Sequence, residues 1–205
     1  MAFKKYKIID DVLKAYQLSI VKEDFLINLP DSSMPLPLKE ELEYLMANYP
    51  YKSSEAAIRE TILFPILKEV WKVYNNDLML WANKTISFNK ELGGMPDYIL
   101  AKQSHLGKIV FETPLLAVVE AKKDDFEGGW AQCALEMYTI QKINAKPELP
   151  VFGIVTNGDN WEFAQLKGTC FIANKKPFSI FQPDDLYAAL MLFFEKCKKN
   201  AVEMS

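Results

Sequence analysis

Residues 115–122 read Leu-Leu-Ala-Val-Val-Glu-Ala-Lys, and no other stretch restricts the fold so tightly. A nearly continuous apolar run of this length predicts a central strand covered on both faces, and therefore a sheet with helices on either side. Charge arrives only at its end. Side chains alternate along a strand, so Glu120 and Lys122 project to one face while Val119 and Ala121 project to the other. Charges at the end of an apolar strand cost stability unless a metal or substrate compensates them, which makes this end a candidate site.

The flanking patterns complete an α/β reading. Ser53 or Ser54 can cap a helix whose first-turn Glu55 suits the helix dipole. Ile58, Ile62, Leu63, Ile66, Leu67, Val70 and Trp71 then recur at three- and four-residue steps, with Pro65 predicted to kink or break the helix. Residues 78–89 alternate as a strand does; Gly93-Gly94 follows, and 96–102 form a second strand. Residues 126–145 are helical and 151–155 form another apolar strand. Asn157-Gly158 is the strongest hairpin signal, after which 161–166 and 169–173 continue the sheet. An amphipathic helix from about Pro183 closes the chain. The order predicts an α/β domain with a mixed β-sheet flanked by helices, not a repeated βαβ array.

Ahead of this domain, residues 10–18 predict a short helix leading into an extended piece, and 38–48 a second helix ending at Tyr49-Pro50. Between them lies a loop with three prolines, Pro30, Pro35 and Pro37. Residues 1–50 carry too few apolar side chains to fold alone, so they are expected to pack as an N-terminal extension on a main domain spanning 51–200.

Composition excludes several function classes. The 205 residues carry a net charge of −3, and Arg59 is the sole arginine, so a positive coat for non-specific DNA binding is ruled out while a local basic groove is not. Residues 78–146 hold eight lysines and eight acids, so DNA affinity would need Lys84, Lys90, Lys122 and Lys123 on one side, or bound Mg²⁺ cancelling the acids. The single histidine, His105, excludes chemistry needing two and reads as a hairpin-tip residue. Cys133, Cys170 and Cys197 lie far apart with no C-x-x-C, which excludes structural zinc and a disulfide framework and suits the cytoplasm. The basic first residues run into Asp10-Asp11 without an apolar core, so no signal peptide is expected. The longest apolar runs, such as 186–194, fall short of the roughly 20 residues that span a bilayer. No G-x-x-x-x-G-K-[ST] occurs, so no nucleoside triphosphate is expected.

The chemistry centres on Pro96-Asp97 and Glu120-Ala-Lys122. Of three Pro-Asp pairs in the chain, only Pro96-Asp97 precedes a predicted strand. If the two strands pair, Asp97 stands beside Glu120, and two carboxylates with a lysine suit Mg²⁺, a hard cation taking oxygen ligands. Lys122 would then orient the attacking water or stabilise charge developing on a phosphate. A helical wheel puts Glu55 in line with Ile58, Ile62 and Ile66, pointing at the sheet as a third acid, and Glu60 about 140° away at the rim. Arg59 lies on the same apolar side and requires a carboxylate partner, Glu55 or Asp97.

These residues resemble the PD-(D/E)xK nuclease superfamily, and most of all the N-terminal nuclease domain of type I restriction enzyme R subunits. The likeness is carried by Ser54-Glu55-Ala-Ala-Ile-Arg59 with Pro65 and Leu67, by Gly94-Met-Pro96-Asp97, by Val118-Val-Glu120-Ala-Lys122, and by Gly153-Ile-Val-Thr-Asn-Gly158 with Trp161-Glu-Phe163. The resemblance implies a restriction-endonuclease-like core and a metal-dependent endonuclease. Glu55, Asp97 and Glu120 would bind Mg²⁺, with Mn²⁺ as a substitute, and Lys122 would serve the nucleophile. Members often carry a glutamine in the following helix, where this chain has Gln132, and a tyrosine four residues on, where it has Glu136. The wheel sets Gln132 opposite the stripe of Trp130, Cys133, Met137 and Ile140, facing either the cleft or solvent.

The leading expectation is hydrolysis of DNA phosphodiester bonds by a stand-alone module without motor domains, with a homodimer as a candidate assembly. A catalytically silent nuclease-fold module for nucleic-acid or protein interaction is the second, favoured by the acidic charge and the near-absence of arginine. An unrelated α/β domain, in which Asp97 and Glu120 are surface carboxylates, is the third; side chains on opposite faces of the sheet would favour it.

Overall fold

The computed structural model describes residues 6–203; residues 1–5, most of the basic start read above for a leader, lie outside them. In chain order the elements are α1 (Ile9–Tyr16), β1 (Ser19–Lys22), α2 (Leu36–Asn48), α3 (Glu55–Ile58), a π-helical turn (Arg59–Leu63), α4 (Phe64–Tyr74), β2 (Leu78–Ala82), β3 (Ile86–Ser87), β4 (Gly93–Gly94), β5 (Tyr98–Lys102), β6 (Leu115–Ala121), α5 (Phe126–Asn144), β7 (Val151–Thr156), β8 (Asn160–Lys167), β9 (Cys170–Ala173), β10 (Phe178–Ser179) and α6 (Pro183–Glu203). A mixed eight-stranded sheet runs in the order β1-β9-β8-β7-β6-β5-β2, with β10 added beside β8. The predicted apolar strand lies inside it: β6 is buried at every residue, antiparallel to β5 and parallel to β7.

Two apolar layers explain that burial. On one face Val119 and Ala121 of β6 join Ile58, Ile62 and Ile66 of the α3–α4 segment and Leu190 and Phe194 of α6. On the other Val118 meets Ala134, Met137 and Ile140 of α5, with Val12 and Leu13 of α1 in the same cluster. Close seating of α5 depends on Gly153 of β7, where a Cβ would stand 2.5 Å from Met137 Sδ and 2.7 Å from Cys133 Sγ.

The first fifty residues are spread over both layers. β1 adds a parallel edge strand to β9, α1 lies in the α5 layer, and Leu26, Met34, Leu38 and Leu42 join the α4–α6 layer.

Pro65 acts as its chemistry demands. Proline has no N–H and its ring crowds the carbonyl four residues back, so the helix widens into the π-helical turn just before it, where the Phe64 N–H donates to the Arg59 carbonyl. Pro65 itself occupies the first turn of α4. The strand expected over 78–89 breaks at Asn83, which adopts a left-handed conformation (φ 50°) and divides β2 from the short β3–β4 hairpin. Asn157-Gly158 forms the β7–β8 turn as predicted: Asn157 Oδ1 accepts from the N–H groups of Asp159 and Asn160, and Gly158 takes φ 90°.

Leu42 is 2% exposed at the junction of α2 and the α4–α6 layer. Leu42→Ala should lower the free energy of urea unfolding by about 2–4 kcal/mol, as for other buried leucines; a neutral result would mean that the first fifty residues add nothing to the core. Burial also pushes the Cys133 and Cys197 thiols well above their ordinary range, whereas Cys170 is half-buried. Alkylation of the native protein with iodoacetamide, followed by mass mapping, should therefore label Cys170 alone.

Candidate functional site

The register of β5 against β6 decides the geometry. Tyr98 lies opposite Val119, so the residue before β5, Asp97, meets Glu120 and Ala121. The Asp97 N–H donates to Glu120 Oε1 at 3.2 Å, and the Ala121 N–H donates to Asp97 Oδ2 at 2.8 Å. The two carboxylates thus meet at one end of the sheet rather than on opposite faces of it. Glu120 is 1% exposed. Lys122, held by its own N–H on the Thr156 carbonyl, turns its ammonium back to 3.5 Å from Glu120 Oε2.

Helix α5 supplies the next layer. Asp125 caps it by accepting from the Gly128 N–H, and Gly129 lets it approach the end of β6, since a Cβ there would stand 2.7 Å from Lys122 Cγ and 2.8 Å from Val155 Cγ1. Gln132 faces the cleft rather than solvent. Its Nε2 donates to Glu120 Oε2 at 2.7 Å and to Glu136 Oε1 at 3.1 Å, and its Oε1 accepts from Lys122 Nζ at 3.1 Å. The wheel could not decide this because α5 is buried around much of its circumference, between the sheet and α1.

Glu136 is the site residue that sequence reasoning passed over as a mere departure from a tyrosine. It is fully buried, and no donor faces its Oε2. An ionised carboxylate there would have one oxygen without a donor and would face the Glu120 charge. Desolvation first, and Glu120 second, push its pKa well above the ordinary carboxylate range. The available signal was an acid four residues after Gln132 inside the run Ala134-Leu135-Glu136-Met137, where every neighbour is apolar. Asn83 was also missed: its N–H donates to the Asp97 carbonyl, and its Oδ1 accepts from Arg59 Nη1 at 3.2 Å.

The α3–α4 segment packs on the opposite face of the sheet from α5, so its polar residues reach the site around the strand ends. Arg59 takes Asp97 as its partner, with Nη1 2.5 Å from Oδ1. Glu55 departs from the expectation that it points along the buried stripe at the sheet. It is the first helical residue after the Ser54 cap, with no preceding turn to cover it, and its side chain is 51% exposed, 3.9 Å from Lys122 Nζ. Glu60 is exposed and does not line the cleft. His105 is exposed in the β5–β6 loop; Trp161 is fully buried, and Trp71, Trp81 and Trp130 are half-buried.

Glu55, Arg59, Asn83, Met95, Asp97, Glu120, Lys122 and Gln132 line one cleft of about 180 Å³. A second hollow of about 220 Å³ adjoins it across Glu55, Lys122 and Gln132. Desolvation and the Asp97 charge outweigh Lys122 and raise Glu120 to about 7. Burial alone would lower Lys122, but Glu120, Glu55 and Asp97 overcome it and hold the ammonium above its ordinary value. Lys122 is therefore a fixed cation and hydrogen-bond donor, not a proton acceptor.

Among the described residues no three of His, Cys, Asp and Glu converge as a cation-holding cluster. The trio expected from Glu55, Asp97 and Glu120 shares the cleft but not a common point, because Glu55 turns to Lys122 at the mouth. Asp97 and Glu120 together remain a donor set that fits Mg²⁺, which keeps several waters and binds through one or two carboxylates with substrate phosphates. No protein-family model matches the chain, and no curated protein matches it significantly.

Raised carboxyl groups bind protons more tightly in the folded than in the unfolded chain, so stability is lost as pH rises through their folded values. In the presence of a chelator, the unfolding free energy should fall by on the order of 2 kcal/mol from about pH 5 to about pH 8. Glu136→Gln should flatten that slope, as read by urea denaturation across the range. An equal slope in the variant would mean that this pair does not hold a proton.

Proposed function

We propose that this chain is a metal-dependent nuclease of the PD-(D/E)xK type, with a restriction-endonuclease-like core, that hydrolyses DNA phosphodiester bonds. One observation carries the reading: Asp97 and Glu120, from neighbouring strands, meet at the buried end of β6 with the Lys122 ammonium 3.5 Å from Glu120. Buried like charges at a cleft are the arrangement that functional sites retain despite its cost. The free cysteines agree with the cytoplasmic setting included in this reading.

Asp97 and Glu120 would hold Mg²⁺, or Mn²⁺ in its place. When bound, such an ion lowers the pKa of a coordinated water and offsets charge on a phosphoryl oxygen. The remaining work falls to side chains on the page. Lys122, kept protonated by the acids around it, orients the water or meets negative charge developing on the phosphate. Gln132 fixes Lys122 and Glu120 relative to each other: its amide oxygen faces the ammonium and its NH₂ faces two carboxyl groups, so reversing the amide would set like against like. Glu55 at the mouth adds a second acid to the Lys122 field.

A silent nuclease-fold module is the second reading, favoured by the exposed third acid and by the fact that both oxygens of Asp97 and of Glu120 already accept hydrogen bonds.

Purified protein should nick plasmid or branched DNA with Mg²⁺ or Mn²⁺. Asp97→Asn, Glu120→Gln and Lys122→Ala should each lower the rate by about a hundredfold or more. Nicking that disappears in Lys122→Ala rejects the silent module. No cleavage of either DNA, together with no calorimetric binding of either ion, would overturn the nuclease reading.

A further inference from the structure

We propose that Arg59 holds the place of the divalent ion: its guanidinium sits on the cleft-facing oxygen of Asp97, and metal binding displaces it toward the substrate. This rests on the metal-dependent reading above and adds a competition that the reading does not require.

The two oxygens of Asp97 face different ways. Oδ2 is turned into the sheet, accepting from the Ala121 N–H at 2.8 Å, a bond that also fixes the register of β5 on β6. Oδ1 is the oxygen on the cleft side, and Arg59 Nη1 lies on it. A divalent ion held from the cleft by Asp97 and Glu120 would draw on Oδ1, since Oδ2 is already taken by the Ala121 N–H. A guanidinium and a divalent cation repel each other and draw on the same lone pairs, so they do not share that oxygen at full strength.

The surroundings permit the exchange. The backbone of Arg59 is anchored, its carbonyl accepting from the Phe64 N–H in the π-helical turn and from the Tyr98 hydroxyl at 3.3 Å. Its side chain is 27% exposed, so movement needs rotation about side-chain bonds only and no opening of the core. Asn83 Oδ1 already accepts from the same nitrogen and offers a second resting point on the cleft wall. Once released, the planar fork of the guanidinium is suited to a phosphate oxygen. The chain's sole arginine thus stands between Asp97 and Asn83, both of which accept from its Nη1.

Mn²⁺ binding to the 205-residue chain, followed by electron paramagnetic resonance, tests this in wild type, Arg59→Gln and Arg59→Lys. Arg59→Gln should bind Mn²⁺ about tenfold more tightly and Arg59→Lys a few-fold more tightly than wild type. Damage to the fold weakens binding, so a gain cannot arise from misfolding. Binding to wild type that Arg59→Gln leaves unchanged or weakens overturns the competition and leaves the metal reading standing. A gain in Arg59→Gln with Arg59→Lys equal to wild type overturns it too, because charge alone would then suffice. No Mn²⁺ binding by any of the three overturns both.

Discussion

The structure around the cleft follows from one costly placement: a carboxylate, Glu120, at 1% exposure on the central strand. Moving an isolated carboxylate from water into a protein interior is prohibitive, so the group must be paired, hydrogen-bonded or protonated. All three solutions appear at once. Lys122 supplies an opposite charge, the Asp97 N–H and Gln132 amide supply donors, and the pKa rises to about 7. Each solution imposes a demand of its own. Lys122 can fold back only because Gly129 leaves room for its stem, and Gln132 can reach only because α5 seats tightly on β7 over Gly153. Small residues in the helix and in the neighbouring strand therefore belong to the electrostatics of the site as much as to packing.

The charges fall into two linked pairs rather than one cluster. Asp97 is neutralised by Arg59 from one side of the sheet, and Glu120 by Lys122 from the other, with Glu55 extending the second pair toward solvent. Glu136 stands behind them, where burial and Glu120 push its carboxyl well above the ordinary carboxylate range. Removing one member of a buried pair leaves the other uncompensated, so this set is sensitive to substitution whatever its chemistry. On the nuclease reading, the same sensitivity makes a phosphate and its cation welcome, since they bring charge of both signs into a cleft already balanced at short range. The net charge of −3 then matters less than the local field, with affinity resting on a few contacts.

Helix α3–α4 shows how a local rule can acquire a distant consequence. Pro65 cannot donate to the helical ladder, and the π-helical turn that accommodates it begins at Arg59. The carbonyl freed from α-helical pairing at that residue accepts from Phe64 and Tyr98, which fixes the root of the side chain that pairs with Asp97 around the strand end. A π-helical turn at a functional position is a recurrent association, and here its cause is legible in the sequence.

Much of the architecture was readable from short-range pattern. The apolar run of residues 115–122 specified an interior strand, alternation placed Glu120 beside Lys122, Asn157-Gly158 specified a hairpin, and Ser54 specified a cap, because each depends on neighbours within a few residues. The pairing of Asp97 with Glu120 was conditional on strand pairing, and only the observed register settled it. Three features were beyond local reasoning. Glu55 lies outside the buried stripe because it begins its helix; Gln132 and Glu136 turn inward because α5 is covered on more than one side; and Arg59 chooses Asp97 over Glu55 because its helix reaches the site past the sheet's end. By itself the sequence determined which residue types carry charge and which strand holds them. The tertiary structure alone decided which charges face one another, since a side chain's partner depends on which surface covers it and a one-dimensional period cannot encode that.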